Sequence, residues 1–193
     1  MGAGKSTVAQ IMADLGAGVI SSDQLSHQEI NAPDVKSQIS GWWGKGVISE
    51  DGTVDRKQIA TVVFADPLQR HRLESLLHPR IAVRRADRMA DLDKQLKIKF
   101  IVIDSPLLYE SDLDLECDVV IFVDADDAIR KDRSEKLRGW PEGELNRREK
   151  SQQPLDMKRA RADYICKNNS NQADLRNQVE RVVTQILADF GSI

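Results

Sequence analysis

Apolar positions along this chain repeat with two different periods, and each change of period marks a change of element. Val8, Ile11, Met12 and Leu15 stand at i, i+3, i+4 and i+7, one face of a helix, and Gly16 follows where a helix commonly stops. Ala17-Gly18-Val19-Ile20 is a short apolar run ending in Ser21-Ser22-Asp23, which predicts a strand that stops at a polar edge. Phe100-Ile101-Val102-Ile103 before Asp104, and Val119-Val120-Ile121-Phe122-Val123 before Asp124, are unbroken apolar runs rich in β-branched residues. Such runs predict strands buried on both faces, as in a parallel sheet covered by helices. Tyr164-Ile165-Cys166 predicts a last short strand, and Leu175, Val179, Val182, Val183, Ile186 and Leu187 predict a final amphipathic helix.

Residues from about 24 to 97 read as helices, too many for a simple crossover between strands. Asp51-Gly52 marks a turn, Asp55 is placed to cap a helix carrying Ile59, Val62, Val63 and Phe64, and Asp66-Pro67 starts another with Leu73, Leu76, Leu77 and Ile81 on one face. With no internal repeat and no low-complexity linker, the expectation is an α/β fold forming one domain over residues 1–193. It comprises a parallel sheet flanked by helices, a helical insertion over approximately 24–97 and a basic helical lid over approximately 130–161.

Charge sharpens this picture. The formal net charge is −3, which argues against a general nucleic-acid binder. Between Arg130 and Arg161, however, 11 lysines and arginines face 6 acidic residues, so this segment is +5 and the rest −8. A basic segment on an acidic body suits a small, highly charged anion, although any one of these charges also reads as an ordinary solvated side chain. No run of apolar residues approaches a membrane span and no signal segment opens the chain. Cys117 and Cys166 lack the neighbours of a zinc site or a disulfide framework. The expected setting is the cytosol, without membrane, nucleic-acid or obligate protein partner.

Met1-Gly2-Ala3-Gly4-Lys5-Ser6-Thr7 matches the back half of the phosphate-binding pattern G-x-x-x-x-G-K-[S/T], and the helix that the pattern requires follows it. In that pattern backbone amides wrap the phosphates, the lysine reaches the outer ones and the hydroxyl binds Mg²⁺. Ligands of open α/β sheets lie beyond the carboxyl ends of the strands, so Lys5, Asp23 and Asp104 are expected to converge there.

Four stretches together resemble the dephospho-coenzyme A kinase family, and they cover essentially the whole chain. They are Gly2 to Thr7; Asp51-Gly52-Thr53-Val54-Asp55-Arg56 with Val63-Phe64-Ala65-Asp66 and His78-Pro79; Asp104-Ser105-Pro106-Leu107-Leu108-Tyr109-Glu110; and Gln152 with Lys158-Arg159-Ala160-Arg161-Ala162-Asp163. The resemblance implies transfer of the γ-phosphoryl of ATP, with Mg²⁺, to the ribose 3′-hydroxyl of dephospho-CoA. It implies Gly2, Ala3, Gly4, Lys5, Ser6, Thr7, Arg133 and Asn168 at ATP, with Asn168 near the adenine. It further implies His78, Pro106, Leu107 and Arg161 at the substrate, Ser6 and Asp104 at the metal, and Asp23 with Lys5 in catalysis.

Two departures from the family pattern stand out. Where the family has D-A-D followed four residues later by Arg, this chain has Ser21-Ser22-Asp23 with His27. The resemblance also implies a strand and the first loop glycine upstream of Met1, so that Met1 reads as an internal methionine.

Each residue also has a plainer reading. Asp23 reads as general base or as the N-cap of a helix from Gln24. Asp104 reads as a water-mediated magnesium ligand or as a polar strand terminus. His78, ahead of Pro79, reads as a structural histidine before an acid or base, and Trp42-Trp43 as core packing before a pantetheine contact. Arg133, Arg147, Arg148, Lys158, Arg159 and Arg161 are the candidates to close over a triphosphate. The alternatives to the kinase are another small-molecule kinase of the nucleoside-monophosphate type, or a catalytically impaired nucleotide-binding protein. A GTPase is disfavoured because no N-K-x-D stretch is present.

Overall fold

The computed structural model describes residues 1–150 and 152–191, with backbone only at 137 and 138. Ser192 and Ile193, the end of the expected domain, and the side chain of the lid residue Arg138 lie outside the described residues. The chain divides into two compact units, Met1–Val19 with Gln95–Ile193, and Ile20–Lys94.

The first unit is built on strand–helix packing. Helix α1 (Lys5–Asp14) buries Val8, Ile11 and Met12 as the spacing predicts, together with Ala9, while Leu15 is its half-buried C-cap and Gly16 at φ 105° ends the turn that follows. Across it packs α9 (Gln172–Phe190), whose Leu175, Val179 and Val183 share one core with Val123 and Cys166. Strands β3 (Ile121–Asp124) and β4 (Tyr164–Lys167) pair in parallel, with Ile121 opposite Tyr164 and Asp124 opposite Lys167. Strand β2 (Phe100–Asp104) pairs with β1 (Ala17–Ser21), whose first three residues belong to this unit. The basic segment forms α6 (Asp127–Arg138), α7 (Glu144–Glu149) and α8 (Leu155–Arg161), broken at Gly139, which ends α6 at φ 62°.

One expectation fails here. The apolar runs of β2 and β3 were expected to be buried on both faces, yet all five β2 residues are only half-buried and in β3 only Val123 is buried. Among the described residues each strand has a single neighbour, β1 for β2 and β4 for β3, so one edge and part of each face stay accessible.

The second unit is helical: α2 (Ser22–Ile30), α3 (Pro33–Trp43), α4 (Arg56–Ala65) and α5 (Pro67–Asp93). Ile30, Val35, Ile39, Val54, Ile59, Leu73 and Leu77 form its core. The caps are where the residue types require them. Asp55 accepts from the amides of Lys57 at 2.9 Å and Gln58 at 3.2 Å, and Asp66 accepts from Leu68 at 2.8 Å with Pro67 at the first helical position. Buried Glu29 on α2 takes Arg80 Nε at 2.9 Å and Arg84 Nε at 2.5 Å from α5, which fastens these two helices together.

Asp23 as the cap of α2 is corrected. Ser21 is the N-cap: its backbone is extended and its hydroxyl accepts from Gln24 N at 3.3 Å, three residues on, as a capping hydroxyl must. Asp23 lies inside the first turn, where its charge faces the positive end of the helix dipole. Its carboxylate is therefore not used in capping.

Candidate active site

Gly4 ends the glycine turn and opens α1. It adopts φ 91° at the N-cap position, from which its carbonyl accepts the amides of Thr7 at 3.0 Å and Val8 at 3.1 Å. No side chain caps α1 and no acidic residue occupies its first turn, which instead carries Lys5. A cation at the positive end of a helix dipole is unfavourable until an anion joins it, so this end is arranged for an anionic ligand.

The turn is clamped from behind. A Cβ at Gly2, which has φ 71°, would lie 2.5 Å from the Arg130 carbonyl oxygen and 2.9 Å from Ser134 Oγ. A Cβ at Gly4 would fall on the Asn168 side-chain amide. Both positions thus need glycine twice over, for backbone conformation and for close approach. Asn168, itself buried, donates from Nδ2 to the Ala3 carbonyl at 2.8 Å and accepts from Arg133 Nη2 at 3.4 Å.

In front of the turn, Ser6 Oγ donates to Asp104 Oδ2 at 3.0 Å, so the first helix and the end of β2 meet at an exposed pair of hard oxygens. An alcohol and a carboxylate suit magnesium, which takes few protein ligands and keeps water and phosphate oxygens for the rest of its shell. A cavity of about 90 Å³ lies beside Lys5, with Ser105, Pro106, Tyr109 and Lys158 among its lining. Leu107, by contrast, is exposed. The Tyr109 hydroxyl is buried without a partner, and burial pushes its pKa above the ordinary tyrosine value.

The basic lid segment is less available than its composition implies. Lys158 Nζ lies 2.6 Å from Glu110 Oε1, Arg159 pairs with Asp124, and Arg161 lies 2.5 Å from Asp114 while its guanidinium covers the Tyr109 ring at 4.2 Å. Arg147 and Arg148 both engage Glu144, at 2.7 and 2.6 Å, and hold its carboxyl down at about 2. Arg130 pairs with Asp127 at 2.5 Å and with Glu149. Arg133 differs: its bond is to a neutral amide, and its Nη1 is buried without a partner.

The structure therefore brings together Gly2 to Thr7, Asp104, Arg133 and Asn168 in the first unit, with Pro106 beside them. Asp23, in the first turn of α2, and His78, exposed on α5 immediately before Pro79, belong to the second unit. Glu110 is the residue whose role the motif alone did not reveal. Its carboxylate accepts from Gln153 N at 2.9 Å as well as pairing with Lys158, so it ties the segment after β2 to the start of α8. A carboxylate in an apolar loop, with no helix to cap, was the available signal.

Comparison with known proteins bears on this arrangement directly. A family model described as CoaE, dephospho-CoA kinase, matches residues 1–174. The chain belongs to the dephospho-CoA kinase family. A relative named dephospho-CoA kinase from Syntrophotalea carbinolica is 34% identical over 188 residues, 97% of this chain and 89% of the relative. One of the same name from Shouchella clausii is 35% identical over 178 residues, 91% of this chain and 89% of the relative. Among solved structures, TT1252 from Thermus thermophilus superposes with a TM-score of 0.81 at 27% identity, covering 98% of this chain and 93% of that one. Dephospho-CoA kinase from Campylobacter jejuni superposes with a TM-score of 0.68 at 27% identity, covering 96% and 92%. The phosphate-loop fold of this kinase family is the one expected from the sequence. No helix among the described residues is long and apolar enough to cross a membrane.

Proposed function

We propose that this protein transfers the γ-phosphoryl group of ATP to the ribose 3′-hydroxyl of dephospho-CoA, giving coenzyme A and ADP. The observation that carries the reading is the meeting of Ser6 with Asp104 at the uncapped N-terminus of α1, in a chain of this family. The amides of Gly2 to Ser6 and the Lys5 ammonium hold the phosphates, and Thr7 completes the turn. Ser6 and Asp104 are the residues that would hold magnesium, which when bound offsets charge on the phosphate oxygens.

Asp23 acts as the base. As the bond from the 3′-oxygen to the γ-phosphorus forms and the bond from that phosphorus to the β,γ-bridging oxygen breaks, the hydroxyl proton passes to its carboxylate and ADP departs. Arg133 adds charge to the phosphate site. His78, Pro106, Leu107 and Arg161 bind dephospho-CoA, and the lid helices keep water from the γ-phosphate. Cys117 and Cys166, neither of them in a disulfide, suit a reducing cytosol as the setting.

Product analysis tests this reading. Incubation with ATP, magnesium and dephospho-CoA, followed by ³¹P NMR, is expected to show a new ribose 3′-phosphomonoester together with ADP. Nucleoside monophosphates in place of dephospho-CoA are expected to leave ATP intact, and their phosphorylation instead would overturn the assignment.

A further inference from the structure

Asn168 closes β4 with both ends of its side-chain amide in use. Nδ2 donates to the Ala3 carbonyl inside the phosphate loop, and Oδ1 accepts from Arg133 on α6. Its backbone is anchored as well, since Asn168 N donates to the Asp124 carbonyl at 2.7 Å. The next residue secures the helix that carries Arg133. Asp126 N donates to Asn169 Oδ1 at 2.9 Å while Asn169 Nδ2 donates to Asp126 Oδ1 at 2.7 Å, which fixes the residue from which α6 begins. Two adjacent asparagines thus hold the loop with one hand and the lid helix with the other.

The chemistry of this link matters more than its strength. The lid cations Arg130, Arg147, Arg148, Lys158, Arg159 and Arg161 all face carboxylates, which cancel their charge. Arg133 faces a neutral amide, which orients a guanidinium without neutralising it, and its Nη1 remains buried and unpartnered. A buried donor without an acceptor is costly, and an arriving anionic oxygen removes that cost. Asn168 is buried, with one N–H directed at Ala3 and its oxygen at Arg133, which leaves little of the amide to read the edge of a purine.

We infer that Asn168 is a positioning residue which holds Arg133 in register with the phosphate loop, so that loop and guanidinium bind the polyphosphate as one unit. It does not read the adenine. The inference rests on the proposed ATP site and says how that site is assembled.

Calorimetric titration with ATP and, separately, with inorganic tripolyphosphate tests it on the wild type, Asn168→Ala, Arg133→Ala and the double variant. Asn168→Ala is expected to weaken both ligands about tenfold, because the base plays no part, and Arg133→Ala to do the same. The double variant is expected to be within about threefold of the weaker single variant, as for two groups acting as a unit. Asn168→Asp keeps the side-chain volume but loses the donor to Ala3 and neutralises Arg133, so it is expected to weaken both ligands at least as much.

A loss confined to ATP, with tripolyphosphate unaffected, would assign Asn168 to the base and overturn the inference. Independent losses that multiply to about a hundredfold in the double variant would overturn it too. No binding of either ligand by the wild type would overturn the nucleotide site itself and this inference with it, whereas normal wild-type binding with either contrary pattern overturns the inference alone.

Discussion

Lys158 Nζ lies 2.6 Å from Glu110 Oε1 and also donates to the Pro106 carbonyl at 3.3 Å, with its side chain almost wholly buried. This contact pins α8 to the segment that follows β2. Burying a lone ammonium is prohibitive, so the pair matters most when half of it is removed. Glu110→Ala is expected to lower unfolding stability by about 3–5 kcal/mol, whereas replacing both partners with apolar residues of similar size is expected to recover most of the loss. Urea denaturation of the three proteins checks this, and a single-variant loss below about 1 kcal/mol would mark the pair as no stronger than an exposed one.

The Ser6–Asp104 contact makes a second claim, that these two oxygens face the same ion. Asp104→Asn removes the negative donor while keeping its shape. The magnesium concentration for half-maximal rate is expected to rise about tenfold or more, the usual scale for disturbing the surroundings of a metal site. Steady-state rates over a magnesium titration provide the check, and an unchanged midpoint would leave Asp104 as a polar strand end.

Neither Cys166 nor Cys117 is in a disulfide, but only Cys166 is fully buried, in the core beneath α9, and burial pushes its thiol pKa above the ordinary value. A buried thiol yields little of the reactive thiolate. In a titration with a colorimetric disulfide reagent, Cys117 is expected to react in the native protein and Cys166 only after denaturant is added. Equal native rates would show that α9 does not seal the core.

The acid limb of stability has an identifiable contributor. Arg147 and Arg148 hold the Glu144 carboxyl at about 2, below its ordinary value of 4.5. A depressed folded-state pKa contributes stability that is complete above the unfolded value and lost as the pH falls from about 4.5 towards 2. Glu144→Gln is therefore expected to flatten the decline of stability with acid in this window while leaving its shape near neutrality unchanged. Thermal melts across the pH range measure both, and identical acid limbs in the two proteins would rule out this contribution.

Much of the fold was legible because it depends on neighbours in sequence. The apolar face of α1 and the caps Asp55 and Asp66 follow from spacing and backbone preference over a few residues. What could not be read depends on topology. The lid cations were legible as a basic run, but the partners of Arg159 and Arg161 stand far away along the chain: Asp124 is 35 residues from Arg159, and Asp114 is 47 from Arg161. The half-burial of β2 and β3 follows from how many strands lie beside them, which an apolar run does not encode. Asn168 illustrates the same limit within the site, since its 165-residue separation from Ala3 hides the bond that makes Gly4 a necessity.

The account stands or falls on a division of labour, in which the loop before α1 holds the phosphates and a carboxylate on α2 takes the alcohol proton. Single-turnover phosphoryl transfer to dephospho-CoA by Asp23→Asn, alongside its dissociation constant for ATP, tests this most directly. The account expects transfer to slow by roughly two to four powers of ten with ATP affinity essentially unchanged. Transfer at the wild-type rate, or a loss that appears entirely as weaker ATP binding, would contradict it.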